Sequence, residues 1–358
     1  MIAKSHVKSL LLGTKGLMAR QVAYVHYRMT HNFEAEFDQC RRDFVISPSQ
    51  YGMGSIDDLR EEVLRNVRKH LITPDEYFLY DFCRLTEAER SAFVGDLERA
   101  FLCARLYNGN RAGMLFMDKY ATYEKYSAYY GREVMRIADR GDFIDFRSFV
   151  DRHPLFIVKP NKASRGDGVR LVDLSSKTAK DARNEFDRIW QQGESVVEEL
   201  IVQAPEMAQF HPESVNTVRY ATFFDGDDVT ILANFVKIGR GRSVVDNGGA
   251  GGFLAAIDLE SGVVATPGRS EHGETFEVHP DTGVRIEGSI IPEWDSLKSL
   301  GDELARSTPE QRYVGWDFAF SDKGWVLVEG NSGGQFVGPQ ISQKKGMGNL
   351  IEKTFGRL

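Results

Sequence analysis

Asp317, Glu329 and Asn331 have the residue types and the spacing to hold a charged ligand. They stand on two largely apolar runs, Tyr313 to Ser321 and Trp325 to Asn331, with Asp322-Lys323-Gly324 between them. That tripeptide is expected to form a hairpin loop of three residues, with glycine at the left-handed position. Pairing Ser321 with Trp325 then counts back to set Asp317 opposite Glu329. Strand alternation puts Asn331 on the same face as Glu329. Two carboxylates opposed across a ladder repel. A cation between them removes the repulsion, and oxygen ligands of this kind suit Mg²⁺ or Mn²⁺ that also grips phosphate oxygens. The alternative is an exposed hairpin face bearing two unrelated acids.

Cations that suit such a ligand lie earlier in the chain. Lys119 follows Asp118 at the start of a helical stretch. Lys159 closes the strand Leu155 to Lys159, which Pro160 ends. Asn161 to Gly168 is a loop of mostly small residues carrying Lys162 and Arg165, and Val169 to Val172 returns as a strand. Backbone N–H groups in such a loop cradle phosphate oxygens, and Arg165 adds charge-assisted bonds. Glu198 and Glu199 lie within Ser195 to Val202, which reads as a strand or a hinge. Two lysines, a covering loop and a metal-binding acid set meet the needs of a nucleoside triphosphate. No G-x-x-x-x-G-K-[ST] is present, so this is not a P-loop protein.

The elements that must position these groups follow from periodicity. Residues 55 to 117 read as helices, with starts at Ser55, Thr73-Pro74 and Thr86. Their aromatics, Tyr77, Phe78, Tyr80 and Phe82 among them, are spaced for core packing. Helices are also expected at Ala179 to Gln192 and Trp294 to Ser307. Strands are expected at Thr217 to Phe224, Val229 to Lys237 and Phe253 to Asp258. The glycine-rich loop Asp246 to Gly252 is free to approach a ligand closely. Strands predominate after residue 155 with helices interspersed, which makes the class α+β. A net charge of −7 argues against nucleic acid as a partner. Cys40, Cys83 and Cys103 lack paired spacing, which argues against a disulfide framework or zinc site. No apolar run reaches membrane-spanning length, and a cytoplasmic location is expected. Residues 1 to 33 hold Lys4, Lys8, Lys15, Arg20 and Arg28 but no acid. Such a segment suits peripheral contact with an anionic membrane surface, an acidic partner, or plain solvent.

In order and spacing, Asp118-Lys119, Ile157-Val158-Lys159-Pro160, Val197-Glu198-Glu199 and Asp317 with Glu329-Gly330-Asn331 resemble the ATP-grasp superfamily, much as in D-alanine–D-alanine ligases. Tyr77 to Tyr80, Ser214 to Arg219, Asp246-Asn247 with Gly251-Gly252, and Gly315-Trp316-Asp317 are similar to the sugar-transfer-associated ATP-grasp family, placed with cell-surface polysaccharide biosynthesis. The resemblance implies an ATP-grasp fold of two α+β subdomains gripping ATP, with an N-terminal helical subdomain. The corresponding boundaries are residues 1–117, 118–197 and 198–358. It implies ATP as cofactor, with Lys119 and Lys159 on its phosphates, Ser164, Arg165, Gly166 and Gly168 in the phosphate lid, and Lys237 also among the nucleotide-binding residues. Glu198, Glu199, Leu200 and Ile201 would form the adenine hinge, and Glu206 would reach the ribose. Asp317, Glu329 and Asn331 would hold magnesium or manganese. The implied reaction activates a small-molecule or sugar carboxylate as an acyl phosphate, which an amine or hydroxyl acceptor then attacks. A phosphotransferase, or a nucleotide-binding module without turnover, is the alternative on the same scaffold. These ligases often carry an Arg two residues before the metal Asp, where this chain has Gly315. Arg219 is the first candidate to supply that charge, with Arg240 second and Asn216 beside them in the catalytic set. His153, His211, His272 and His279 are read as structural or surface residues.

Overall fold

The computed structural model describes residues 16–107, 111–163, 167–176, 178–242, 246 and 251–357. Its N-terminal third is helical: α1 (Leu17–Thr30), α2 (Phe33–Asp43), α3 (Ile56–His70), α4 (Pro74–Leu79), α5 (Glu87–Ala92) and α6 (Asp96–Leu106). Three of these start at the expected residues. The Ser55 hydroxyl accepts from the Asp58 N–H at 3.1 Å, Glu76 reaches back to the Thr73 N–H at 2.8 Å, and Thr86 caps α5 against Glu89. Tyr77, Phe78, Tyr80 and Phe82 are buried in a core with Phe37, Val63 and Phe93. That core continues onto Ala221, Phe223, Leu232, Ala233, Phe235 and Leu254 of the larger sheet described next.

After α7 (Lys119–Tyr126) come β1 (Val134–Ile137), α8 (Phe143–Arg152), β2 (Leu155–Pro160), β3 (Arg170–Asp173), α9 (Ala179–Gln192) and β4 (Ser195–Glu199). The strands make an antiparallel sheet in the order β1-β4-β2-β3. Phe146, Phe149, Phe186 and Ile189 of the two helices bury its face with Ile137, Phe156, Val158 and Val197. The periodicity reading left β1 out. Its Val134-Met135-Arg136-Ile137 is too short to show an alternation of its own.

The short helix α10 (Pro205–Ala208) leads to β5 (Thr217–Phe224), β6 (Val229–Ile238), β7 (Phe253–Ala256), β8 (Gly268–Ser270) and β9 (Thr275–Phe276). Helix α11 (Trp294–Arg306), the hairpin β10 (Tyr313–Ser321) and β11 (Gly324–Ser332), and two closing helices complete the described chain. The second sheet is antiparallel, in the order β11-β10-β5-β6-β7-β8-β9, with α11 on the face opposite the N-terminal helices.

The β10–β11 register reaches the expected pairing by a different path. Gly324 has a φ of 88°, as a left-handed position requires, but it pairs with Ser321, so only Asp322 and Lys323 lie outside the ladder. Phe320, not Ser321, pairs with Trp325. A bulge between Asp317 and Phe318 then skips Val328 and restores Asp317 opposite Glu329.

Candidate active site

A cavity of about 440 Å³ opens between the two sheets. Lys119, Lys159, Glu198, Lys237, Asp246, Asp317 and Glu329 are its charged lining. Ile157, Val169, Leu171, Ile201 and Val202 are apolar residues of the same lining. Leu171 is 44% exposed and Val202 64% exposed, apolar side chains turned toward open space. A flat heteroaromatic ring suits apolar lining of this kind. Glu199, Leu200 and Ile201 also line the cavity, with the Glu199 N–H already bonded to the Glu133 carbonyl at 2.9 Å.

Each cation is held by a specific element. The Asp118 carboxylate caps α7, accepting from the Ala121 N–H at 3.0 Å. Lys119 donates from Nζ to the carbonyls of Pro160 and Ala163. Burial pushes the Lys119 pKa down, with Glu329 the chief opposing influence. Lys159 on β2 lies 3.0 Å from Glu198 Oε1. Burial alone would raise the Glu198 pKa; Lys159, and after it Arg132, instead hold it down to about 2. The Glu199 side chain accepts from the Glu133 N–H at 2.9 Å.

On the second sheet, Asp317 is 1% exposed and opposes Arg219 on one side and Glu329 on the other. Arg219 donates from Nε to Oδ1 at 2.5 Å and from Nη2 to Oδ2 at 2.8 Å. Lys237 Nζ reaches the same Oδ2 at 3.2 Å and Asp246 Oδ1 at 3.5 Å. Asn331 Nδ2 joins the two acids, 3.3 Å from Asp317 and 3.1 Å from Glu329. Burial would raise the Asp317 pKa, but Arg219 and then Lys237 depress it to about 2. Asp246 goes the other way, pushed up by burial, while accepting from the Thr217 N–H at 2.9 Å and from its hydroxyl.

Gly315 explains how Arg219 gets there. A Cβ at Gly315 would stand 3.1 Å from both Cδ and Nη1 of Arg219, so the bare glycine leaves the space this side chain crosses. The neighbouring strand thus brings a guanidinium past position 315 to Asp317.

Other candidates stand elsewhere. Asn216 is fully buried and spends its amide on Gln203, Met207, His211 and Gly239, shaping the loop rather than facing the cavity. Arg240 pairs with Glu274 at 2.8 Å and covers the Phe276 ring, outside the cavity lining. Glu206 is exposed on α10 and does not line the cavity, whereas Glu213 does. Gly168 has a φ of 74° and no room for a side chain, since a Cβ would meet Pro160 at 2.7 Å. Ser164, Arg165 and Gly166 lie outside the described residues, as do Lys4, Lys8, Lys15 and Asn247. His211 and His279 hold the backbone carbonyls of Gly241 and Gly239, and His153 pairs with Glu133. Sequence reasoning gave no role to Asp246, Glu213 or Arg132. The first was visible within the Asp246-Asn247 motif; Arg132 carried no signal.

Among the described residues no three His, Cys, Asp or Glu side chains cluster as a metal site, and no helix is long and apolar enough to cross a membrane. Asp317 and Glu329 fit magnesium only if ligand oxygens complete the shell, which a polyphosphate would do. Asn331 would join through its amide oxygen after a flip of the amide, whose Nδ2 here faces both acids.

No curated protein is similar to this chain at a significant level. Among solved structures, D-alanyl-alanine synthetase A from Vibrio cholerae O1 biovar eltor str. N16961 is 11% identical with a TM-score of 0.41, covering 69% of this chain and 62% of its own. N5-carboxyaminoimidazole synthetase from Staphylococcus aureus, complexed with ADP, is 12% identical with a TM-score of 0.44, covering 68% of this chain and 52% of its own. The ATP-grasp ligase PsnB complexed with minimal precursor is 16% identical with a TM-score of 0.41, covering 74% of this chain and 68% of its own. This chain therefore spans less than two thirds of the length of the first two. The decisive match is to a family rather than to any one enzyme: residues 104–355 fit the family described as Sugar-transfer associated ATP-grasp, and the chain belongs to it.

Proposed function

We propose that the chain is an ATP- and magnesium-dependent ligase that activates a carboxylate, in the setting of cell-surface polysaccharide biosynthesis. The observation that carries this reading is the convergence of Lys119, Lys159 and Lys237 with Asp317, Glu329 and Asn331 around one cavity that also has an apolar lining. Lys119 and Lys159 would neutralise phosphate oxygens and Lys237 would steady the γ-phosphate beside Asp317. Magnesium, when bound, would neutralise charge on the β- and γ-phosphates. Arg219 would stabilise the transferring group, and exclusion of water by the two sheets would protect an acyl phosphate from hydrolysis. An amine acceptor would then give a C–N bond, and a hydroxyl acceptor an ester. The test is ADP release against a panel of uronic acids and amino acids, with mass spectrometry of the products. A condensed product with ADP and inorganic phosphate supports the ligase; phosphate retained on a hydroxyl identifies a phosphotransferase instead.

Lys159→Met tests the phosphate end separately. It deletes a cation and leaves the hinge backbone in place, so ATP should weaken at least tenfold and adenosine hardly at all. Equal weakening of both in a calorimetric titration would remove Lys159 from the phosphate site.

A further inference from the structure

Arg132 lies behind the cavity, on the segment that leads from Tyr130 into β1. It is 8% exposed, and its guanidinium joins the two sheets. Nε and Nη2 donate to Glu198 Oε2 on β4 at 2.9 and 2.8 Å. Nη1 donates to the carbonyl of Leu327 on β11 at 2.7 Å and to that of Tyr130 at 3.1 Å. Nη2 also reaches the Val328 carbonyl at 3.3 Å, and Val328 is the residue the bulge leaves out of the ladder. Glu198 Oε1, the other oxygen of the same carboxylate, holds Lys159. One buried carboxylate is thus divided between two cations, an oxygen to each. The group carries a net positive charge; Lys159 and Glu198 line the cavity and Arg132 does not.

A buried carboxylate with a single partner binds that partner tightly, because neither charge has water to fall back on. We propose that Arg132 is a positioning residue: it neutralises Glu198 from behind, so that Lys159 remains available to an incoming polyphosphate. Arginine suits the task because its planar fork bonds one carboxylate oxygen and three carbonyls at once, which lysine cannot do. The proposal rests on the nucleotide reading of the cavity.

Calorimetric titration of Mg·ATP and of adenosine into the parent, Arg132→Gln and Arg132→Gln/Glu198→Gln separates the two. A parent that binds neither ligand defeats the nucleotide reading and this proposal with it. With a parent that binds both, Arg132→Gln should weaken ATP at least tenfold and adenosine less than threefold. The double variant should return ATP to within about threefold of the parent, since a neutral amide no longer captures Lys159. Equal losses for both ligands, or a double variant no tighter than the single, would make Arg132 merely structural and overturn the proposal. If the single variant does not fold, the double, which removes the buried carboxylate together with its arginine, decides alone. ATP affinity within threefold of the parent supports the proposal, and a tenfold loss overturns it.

Discussion

Asp317→Asn is expected to abolish magnesium-dependent turnover and to cost about 3–5 kcal/mol of stability, the usual penalty for removing one partner of a buried ion pair. Glu329→Gln should abolish turnover with little change in stability. The two acids face each other, but their surroundings differ. Asp317 accepts both arms of Arg219 together with Lys237 and Asn331, so its loss leaves two buried cations facing only Asp246 and Glu329. Glu329 is half-buried, with Asn331 as its close side-chain bond. The pH dependence follows in sign. The folded pKa of Asp317 is depressed to about 2, below its unfolded value, so its stabilisation is fully present above about pH 4. It is lost as pH falls from there through about 2, and the stability gap between parent and Asp317→Asn should narrow over that window. Urea unfolding at several pH values, read beside ADP release, checks both halves. Near-parent turnover in either variant would exclude this hairpin face as the metal site.

Arg219→Lys should reduce kcat about a hundredfold, as for loss of one oxyanion donor, with ATP affinity little changed. Arg219 fits Asp317 with two parallel bonds, a geometry an ammonium cannot reproduce. Lysine would keep the charge, so binding and folding should survive while the direction of the charge is lost. Steady-state kinetics with a nucleotide titration make the measurement. Parent turnover in a folded, ATP-binding Arg219→Lys enzyme would withdraw the catalytic role. Arg240 is not a ready substitute, since Glu274 and Phe276 already hold it.

Much of this site was legible because strand alternation converts spacing into facing. Asp317 and Glu329 are opposed as their positions imply, and Asn331 joins them. The turn was harder: closing on Asp322 and Lys323 shifts the near ladder by one residue, and the bulge at Val328 shifts it back. Two local departures cancelled, which no count along the sequence reveals. The roles of single polar residues were least legible. Asn216 and Arg240 sit in promising motifs but bond away from the cavity, and Glu206 is displaced from it where Glu213 is not. Arg132 has no motif at all. Its importance lies in carbonyls and a carboxylate brought from distant parts of the chain, contacts that only the folded arrangement creates.

The apolar contacts beneath the N-terminal helices bear on which part of this chain can stand alone. The family match begins at residue 104, yet the aromatic cluster before it shares one interior with Phe223, Leu232, Phe235 and Leu254 of the larger sheet. A chain trimmed to the matched residues would keep Phe336, Val337 and Ile341, at the first closing helix, on that sheet face. It would still strip the aromatic cluster from the rest of the shared interior and turn apolar surface to water, of the kind that drives proteins to aggregate. In solubility terms the N-terminal helices share with the closing helices the task of covering the larger sheet, and most of them lie outside the family pattern.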